Sequence, residues 1–281
     1  MSLASLRLHK YVSPDCIPSR SASYSDHDER VLKFPRPEAR VKISFVVPAF
    51  NEEKLIGATL SSIRSAMTAF QERGWECEIV VCDNNSTDRT AELARAAGAV
   101  AAFEPVNQIG RARNRGAESA SGDWLIFVDA DSHPSRELLE DVAKAIQSGK
   151  FLFGGSTVTF EGRYFVAGLL TGLWNTISRV AKYAAGSFIF CEAAAFRQIG
   201  GFDNKLFVSE ELDLSKRLKL LARAAGKRGI ILHRHPLVTS ARKMHLYSPW
   251  EHLWFLCRSV FGLGRVFNSR EACHIWYDGR R

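Results

Sequence analysis

The sequence predicts an α/β fold whose mainly parallel sheet is flanked by helices. Two observations carry that expectation. From Val41 onward, short apolar runs alternate with segments whose apolar residues fall at helical spacing, an order that favours right-handed crossovers between parallel strands. Three of the apolar runs also end in polar, carboxylate-bearing loops, which in an open α/β sheet mark the ligand-binding edge.

Taken in order, residues 1–40 are rich in Ser, Pro, Arg and Asp and predict a disordered or loosely packed arm. Ile43 to Val47 reads as a buried strand, followed by Ile56, Leu60, Ile63, Met67 and Phe70 on one helical stripe. Glu78 to Cys82 is a second strand and Asp88 to Ala97 a helix, with Ser86-Thr87-Asp88 as cap candidates and Gly98 just beyond its end. Ala99 to Phe103 is a third strand, Arg111 to Ala120 a helix, and Trp124 to Val128 a fourth strand. Beyond residue 150 the pattern is mixed: a strand from Phe151 to Phe160, a helix from Phe165 to Lys182 and a short strand from Phe188 to Cys191. A helix from Glu211 to Ala225 and two strands, near Ile230 and Val238, complete a domain spanning 41–248. Residues 249–281 predict a C-terminal helical extension. Within it Trp250, Leu253, Trp254, Cys257, Phe261 and Gly264 share one face, a stripe suited to core, a dimer surface or a membrane surface.

The 46% hydrophobic and 24% charged fractions are those of a soluble globular chain. The formal charge of +8 is concentrated at one end, since Ser215 to Arg281 holds 14 Lys/Arg against 3 Asp/Glu. Such an end suits an anionic partner such as a diphosphate, an anionic lipid or nucleic acid, a solvated basic face being the alternative. Of these partners an anionic membrane is expected and nucleic acid is not. Cys16, Cys77, Cys82, Cys191, Cys257 and Cys273 form no CxxC pair or zinc spacing, which points to a reduced, cytoplasmic chain with Cys82 and Cys191 in the core. The longest uncharged, mostly apolar stretch, Tyr164 to Ser178, is fifteen residues, short of the roughly 20 that span a bilayer. No transmembrane helix is predicted; neither G-x-S-x-G nor a P-loop is present, and Gly262-x-Gly264-x-x-Phe267 lacks the third glycine of a dinucleotide fingerprint, so hydrolase and dehydrogenase readings have no support.

The chemistry concentrates at the strand ends. Asp129-Ala130-Asp131 follows the Trp124–Val128 run directly, and two hard oxygen donors so placed suit Mg²⁺ or Mn²⁺, which neutralise a diphosphate. Capping of a helix starting near Pro134 is the alternative reading. Asn51 and Glu52, after Pro48 and Ala49, offer groups suited to a nucleoside, and Asp83 can accept from a base N–H; helix capping explains Asn51 and Asp83 as well. Together the three edges describe a nucleotide cleft.

These residues resemble a known family. Val46-Val47-Pro48-Ala49-Phe50-Asn51-Glu52, Val81 to Asp88, Gly110 to Gly116 and Asp129-Ala130-Asp131 are similar, in order and spacing, to family-two glycosyltransferases of the GT-A fold, a Rossmann-like architecture. The resemblance covers about Lys42 to His245 and implies a nucleotide-sugar donor, uridine being the commonest base. It places Pro48, Ala49, Asn51, Glu52 and Asp83 on the nucleoside with Arg113 beside them. Asp129 falls near ribose and metal, and Asp131 becomes the main ligand of Mn²⁺ or Mg²⁺. Downstream, Phe207 to Ser215 resembles the acceptor-side segment, where the family reads Glu-Asp and this chain reads Glu210-Glu211. By position Glu211 is the general base that takes the acceptor's proton; acids favoured by a helix N-terminus are the alternative. Arg242-Lys243-Met244-His245 resembles a segment of some GT-A enzymes whose His completes the metal site, with Arg242 and Lys243 on the diphosphate. His233 and His235 compete less well for that ligand role, because Pro236 interrupts their run. Gly186-Ser187 is read either as a close approach to the sugar or as a plain turn.

The expected activity is therefore metal-dependent transfer of a sugar to a hydroxyl, with inversion, the acceptor being lipid-linked or a small molecule. Two rivals stand beside it. A nucleotidyltransferase wants a basic, Gly-rich loop after the first strand, where this chain has the acidic Asn51-Glu52-Glu53. A non-catalytic protein binding nucleotides or anionic surfaces leaves the cleft carboxylates unexplained.

Overall fold

The structure is a computed structural model that describes residues 41–160 and 165–240, with backbone alone for 165–170. The N-terminal arm, the C-terminal extension and Arg242, Lys243 and His245 lie outside the described residues.

The chain alternates β1 (Lys42–Ala49), α1 (Ile56–Ala66), α2 (Thr68–Gln71), β2 (Glu76–Asp83), α3 (Thr90–Ala96), β3 (Val100–Phe103), α4 (Ile109–Glu118) and β4 (Trp124–Val128). It continues through β5 (Ser132–His133), α5 (Arg136–Gln147), β6 (Phe151–Phe160), α6 (Phe165–Ala181), β7 (Phe188–Glu192), α7 (Ala193–Gln198), α8 (Glu210–Ala224) and β8 (Arg228–Thr239). All eight strands join one sheet in the order β3-β2-β1-β4-β7-β6-β8-β5. The first four are parallel, and the order reverses at β1, leaving a crevice at the carboxyl ends of β1 and β4.

The sheet is more mixed than the sequence predicts. β7 runs antiparallel between β4 and β6, and the two-residue β5, unforeseen, pairs antiparallel with β8. β8 is one strand of twelve residues and not two, because the chain absorbs Pro236 in a bulge. Likewise Pro48 does not end β1. Ala49 faces β2, where its carbonyl accepts Asn84 N–H, so Pro48 faces the β4 side beyond the last β1–β4 pair, Val46↔Phe127. No ladder bond is lost there. The single helix expected from Ile56 to Phe70 is divided at Met67 into α1 and α2, and α7 was not foreseen.

Helices cover both faces, which is why the inner strands are apolar throughout and not alternating. One core holds Phe45, Phe70, Leu138 and Phe188; the other holds Val46, Phe127, Phe196, Phe202 and Leu218. Cys82 and Cys191 are buried as expected, and burial pushes the Cys82 thiol up to about 12. No helix among the described residues is long and apolar enough to cross a membrane.

Helix α4 approaches the sheet closely because its inner face is Gly110, Ala112, Arg113, Gly116 and Ala117. A Cβ at Gly116 would stand 2.5 Å from Val46 Cγ1, with both residues locked in the core. Gly116→Ala should therefore destabilise the fold by about 1–3 kcal/mol despite alanine's better helix propensity. Urea unfolding measures it, and a stabilised variant would show that α4 sits further from β1.

Candidate active site

The register of β1 and β2, Ala49↔Asp83, brings their following loops together. Those loops are tied by backbone groups meeting side chains. Asn51, in the left-handed region at φ 53, donates its N–H to Ser86 Oγ at 3.0 Å, and its Oδ1 accepts Thr87 N–H at 2.8 Å. Glu52 N–H meets Thr90 Oγ1 at 2.7 Å and Glu53 N–H meets Asp88 Oδ2 at 3.1 Å. Asn51 is thus a brace between loops, and the N-cap of α1 is Leu55, with no side-chain cap bond, which removes the capping reading. Asp88 Oδ1 accepts Thr90 N–H at 2.9 Å from one residue before the N-cap of α3, which is Arg89 and has no side-chain cap bond, so none of Ser86, Thr87 and Asp88 is the N-cap. Asp83 is 8% exposed and accepts Ser86 N–H through Oδ1 at 3.0 Å.

Capping does not explain Asp129-Ala130-Asp131 either. Ser135 caps α5, its hydroxyl accepting Leu138 N–H at 3.1 Å. Asp129 instead faces Arg113, and its backbone N–H donates to Ser187 O at 3.3 Å. Asp131 is buried at the start of the turn into β5, its carbonyl accepting Ser240 N–H at 3.0 Å.

Arg113 is the centre of the site. Its side chain is 2% exposed, yet three elements converge on it. Nη1 donates to Glu210 Oε1 at 2.6 Å; Nη2 donates to Asp129 Oδ1 and to the Gly186 carbonyl, both at 2.9 Å. The guanidinium also stacks over Phe202, 5.3 Å from the ring centre. Burial acts against its charge, but Asp129 and Glu210 outweigh that and hold its proton more tightly than usual. A Cβ at Gly186 would stand 3.3 Å from Arg113 Nη2 and 3.7 Å from Glu211 Cδ, so glycine keeps this backbone close.

Glu210 and Glu211 open α8 behind Ser209, which is held at φ 67. Glu210 is buried and committed to Arg113. Glu211 keeps partial solvent access but is densely surrounded, and burial, then the neighbouring Glu210 charge, raise its carboxyl to about 8. The backbone N–H groups at the start of α8 act the other way, favouring the carboxylate as a helix N-terminus does, and are outweighed by burial and the Glu210 charge. Asp213 points elsewhere, paired with Arg217 at 2.6 Å.

Sequence reasoning missed Asn84 and Gln108. Asn84 Nδ2 donates to Val106 O at 2.6 Å and its Oδ1 accepts Gln108 N–H at 2.9 Å. Gln108 Nε2 then donates to Asn204 O and Leu206 O at 2.9 and 2.8 Å. These amides fix the entry to α4, and hence Arg113, relative to the segment before α8. Their one sequence signal was an amide directly after Asp83.

The family model for glycosyl transferase family 2 matches residues 44–199, more than half of the chain. The chain belongs to this family. Among similar proteins, the dolichol-phosphate mannosyltransferase of Pyrococcus furiosus is 30% identical over 131 residues, 44% of this chain and 35% of that protein. The poly(ribitol-phosphate) beta-N-acetylglucosaminyltransferase TarS of Staphylococcus aureus is 33% identical over 113 residues, 38% and 19% of the two chains. The chain thus spans about a third or less of these two relatives' length. A mannosyltransferase from Pyrobaculum calidifontis, solved with GDP-Man and Mn²⁺, shares the fold with TM-score 0.59 at 20% identity, covering 85% of this chain and 66% of that one. S. aureus TarS 1–349 gives 0.57 at 21% identity, covering 83% and 68%. The GT-A fold implied by the sequence motifs is the fold of the chain.

Proposed function

We propose that this chain transfers a sugar from a nucleotide-sugar to a hydroxyl acceptor, with inversion at the anomeric carbon. The observation that supports it best is the Arg113 network, which gathers Asp129, Gly186, Glu210 and Glu211 at the carboxyl end of β4.

In this reading Pro48, Ala49, Asn51, Glu52 and Asp83 line the nucleoside side, Asp83 accepting from the base. Arg113, its charge balanced by two carboxylates, is a positioning residue that holds Asp129 toward the donor and Glu210 beside the base. Glu211 accepts the acceptor's proton through its carboxylate. The acceptor oxygen then forms its bond to the anomeric carbon as the bond to the diphosphate breaks, and the electron pair leaves with the diphosphate. Gly186 keeps the backbone out of the acceptor's path. Arg242 and Lys243 are assigned to the diphosphate and His245 to the metal site.

The donor set fits a divalent ion that arrives with its substrate. Among the described residues no three His, Cys, Asp or Glu groups form a ready cage. Mg²⁺ in phosphoryl sites is held by one or two carboxylates and completed by phosphate oxygens and water. Asp131 and Asp129 would hold such an ion, Mn²⁺ or Mg²⁺, and its charge would stabilise the departing diphosphate. The relatives solved with Mn²⁺, such as the glucosyl-3-phosphoglycerate synthase from Mycobacterium tuberculosis with uridine-diphosphate, support this choice.

Calorimetry tests the assignment. Asp131→Ala should keep the fold and lose the Mn²⁺-dependent gain in affinity for uridine or guanosine diphosphate, about tenfold or more. An unchanged gain would remove Asp131 from the metal site.

A further inference from the structure

A second concave site lies away from the donor edge. A cavity of about 720 Å³ opens between α5, α6 and β8. Its lining combines apolar Phe151 and Ile230 with the cations Arg179, Lys182, Arg234 and Lys144. Phe153 is level with Leu125 across β7, through Cys191, which puts Phe151 six residues, or about 20 Å, back along the strands from Asp129. Nothing in the transfer chemistry uses these residues.

The fold builds this cationic wall deliberately. β8 bulges between the pairs Ser156↔Leu232 and Val158↔Leu237, so that His233, Arg234, His235 and Pro236 are thrown outward. His235 Nδ1 meets Asp141 Oδ2 at 3.0 Å and pins the bulge to α5. Asp141, the one acid of the cavity lining, is thereby engaged, with Lys144 also 3.7 Å away. Lys182, just past α6, is held in the left-handed region at φ 54. None of the described residues pairs with Arg179, Lys182 or Arg234.

Beside this wall, α6 exposes apolar side chains. Leu173, Ile177 and Val180 recur at helical spacing and are 60%, 46% and 80% exposed, and Val180 also lines the cavity. An apolar ridge next to cations is the pattern of a helix lying in a bilayer interface.

We propose that the α6–β8 face docks on an anionic phospholipid surface, a headgroup phosphate entering the cavity between Arg179, Lys182 and Arg234 while Leu173, Ile177 and Val180 enter the acyl boundary. The charge complementarity selects this occupant: three cations unpaired among the described residues want phosphates, and the adjacent ridge wants hydrocarbon. The site stands independently of the donor chemistry.

Vesicle flotation of the full chain tests it. The chain should float with vesicles containing phosphatidylglycerol and stay behind with phosphatidylcholine alone. The triple variant Arg179→Glu, Lys182→Glu, Arg234→Glu should bind the anionic vesicles at least about tenfold more weakly, each cation near the surface contributing to attraction. Ile177→Ser with Val180→Ser should weaken flotation several-fold. All five positions are exposed, so melting temperature and nucleoside diphosphate affinity should be unchanged. Flotation by the triple variant equal to that of the unaltered chain would overturn the proposal, because binding would then lie elsewhere. So would a cavity that inorganic phosphate protects against heat, in the unaltered chain alone, with no flotation on anionic vesicles.

Discussion

Replacing Glu211 with Gln is expected to leave donor affinity intact and to cut sugar transfer by about 10²–10⁴-fold, because the amide keeps size and polarity but accepts no proton. The same variant should be more stable than the parent. The Glu211 carboxyl stands at about 8 in the fold against an ordinary 4.5, so between those values the folded chain holds a proton that the unfolded chain releases. Stability therefore falls as pH rises across that window and is level above it. Gln carries no such penalty. Its advantage should be small near pH 4 and grow to a plateau near pH 8, each kcal/mol regained appearing as about 2–4 °C in Tm. Transfer by the parent should rise with pH up to about 8, since only the carboxylate serves as base. Asp213→Asn is the control, its side chain being engaged by Arg217. A Gln variant with near-parental turnover, or with retained product configuration, would reject direct displacement through this base.

The second large effect is at Arg113. Truncation to Met would strand Asp129 and Glu210 beside Glu211 without a counter-charge, in a site where the guanidinium is 2% exposed. Removing one partner of a buried ion pair costs about 3–5 kcal/mol, and urea unfolding should read that loss. Adding Glu210→Gln to Arg113→Met should recover part of it, with a coupling of about 0.5–3 kcal/mol. Arg113→Lys keeps the charge but not the fork that reaches Glu210, Asp129 and the Gly186 carbonyl together, so it should not restore transfer. A loss below about 1 kcal/mol for the Met variant would mean that water reaches these carboxylates.

The half of the fold carrying parallel strands was legible because each apolar run there is separated from the next by a helix-period segment, and the family motifs fell at the run ends. What escaped was direction and continuity. Phe188 to Cys191 is buried on both faces, so its composition is the same whether it runs parallel or, as it does, antiparallel to β4. Pro236 signals a break in any single-chain reading, and only the pairing with β6 reveals that the strand bulges and resumes. The site divides in the same way. Asp83, Asp129 and Glu211 were candidates from local pattern and resemblance, whereas the bonds from Arg113 to Glu210 and Gly186 join residues far apart in sequence. The capping alternatives for Asn51 and Asp129 were equally valid locally. They fell because Leu55 is the N-cap of α1, without a side-chain cap bond, and Ser135 caps α5.

Following uridine and guanosine nucleotide-sugars by phosphorus NMR, with the chain, Mg²⁺ and hydroxyl acceptors, bears most directly on whether this cleft transfers sugars. The expected result is release of the nucleoside diphosphate, dependent on Mg²⁺ and lost in Asp131→Ala. Release of a sugar phosphate or of pyrophosphate would place the broken bond at phosphorus, as in a nucleotidyltransferase, and binding without any release would make the cleft a nucleotide receptor.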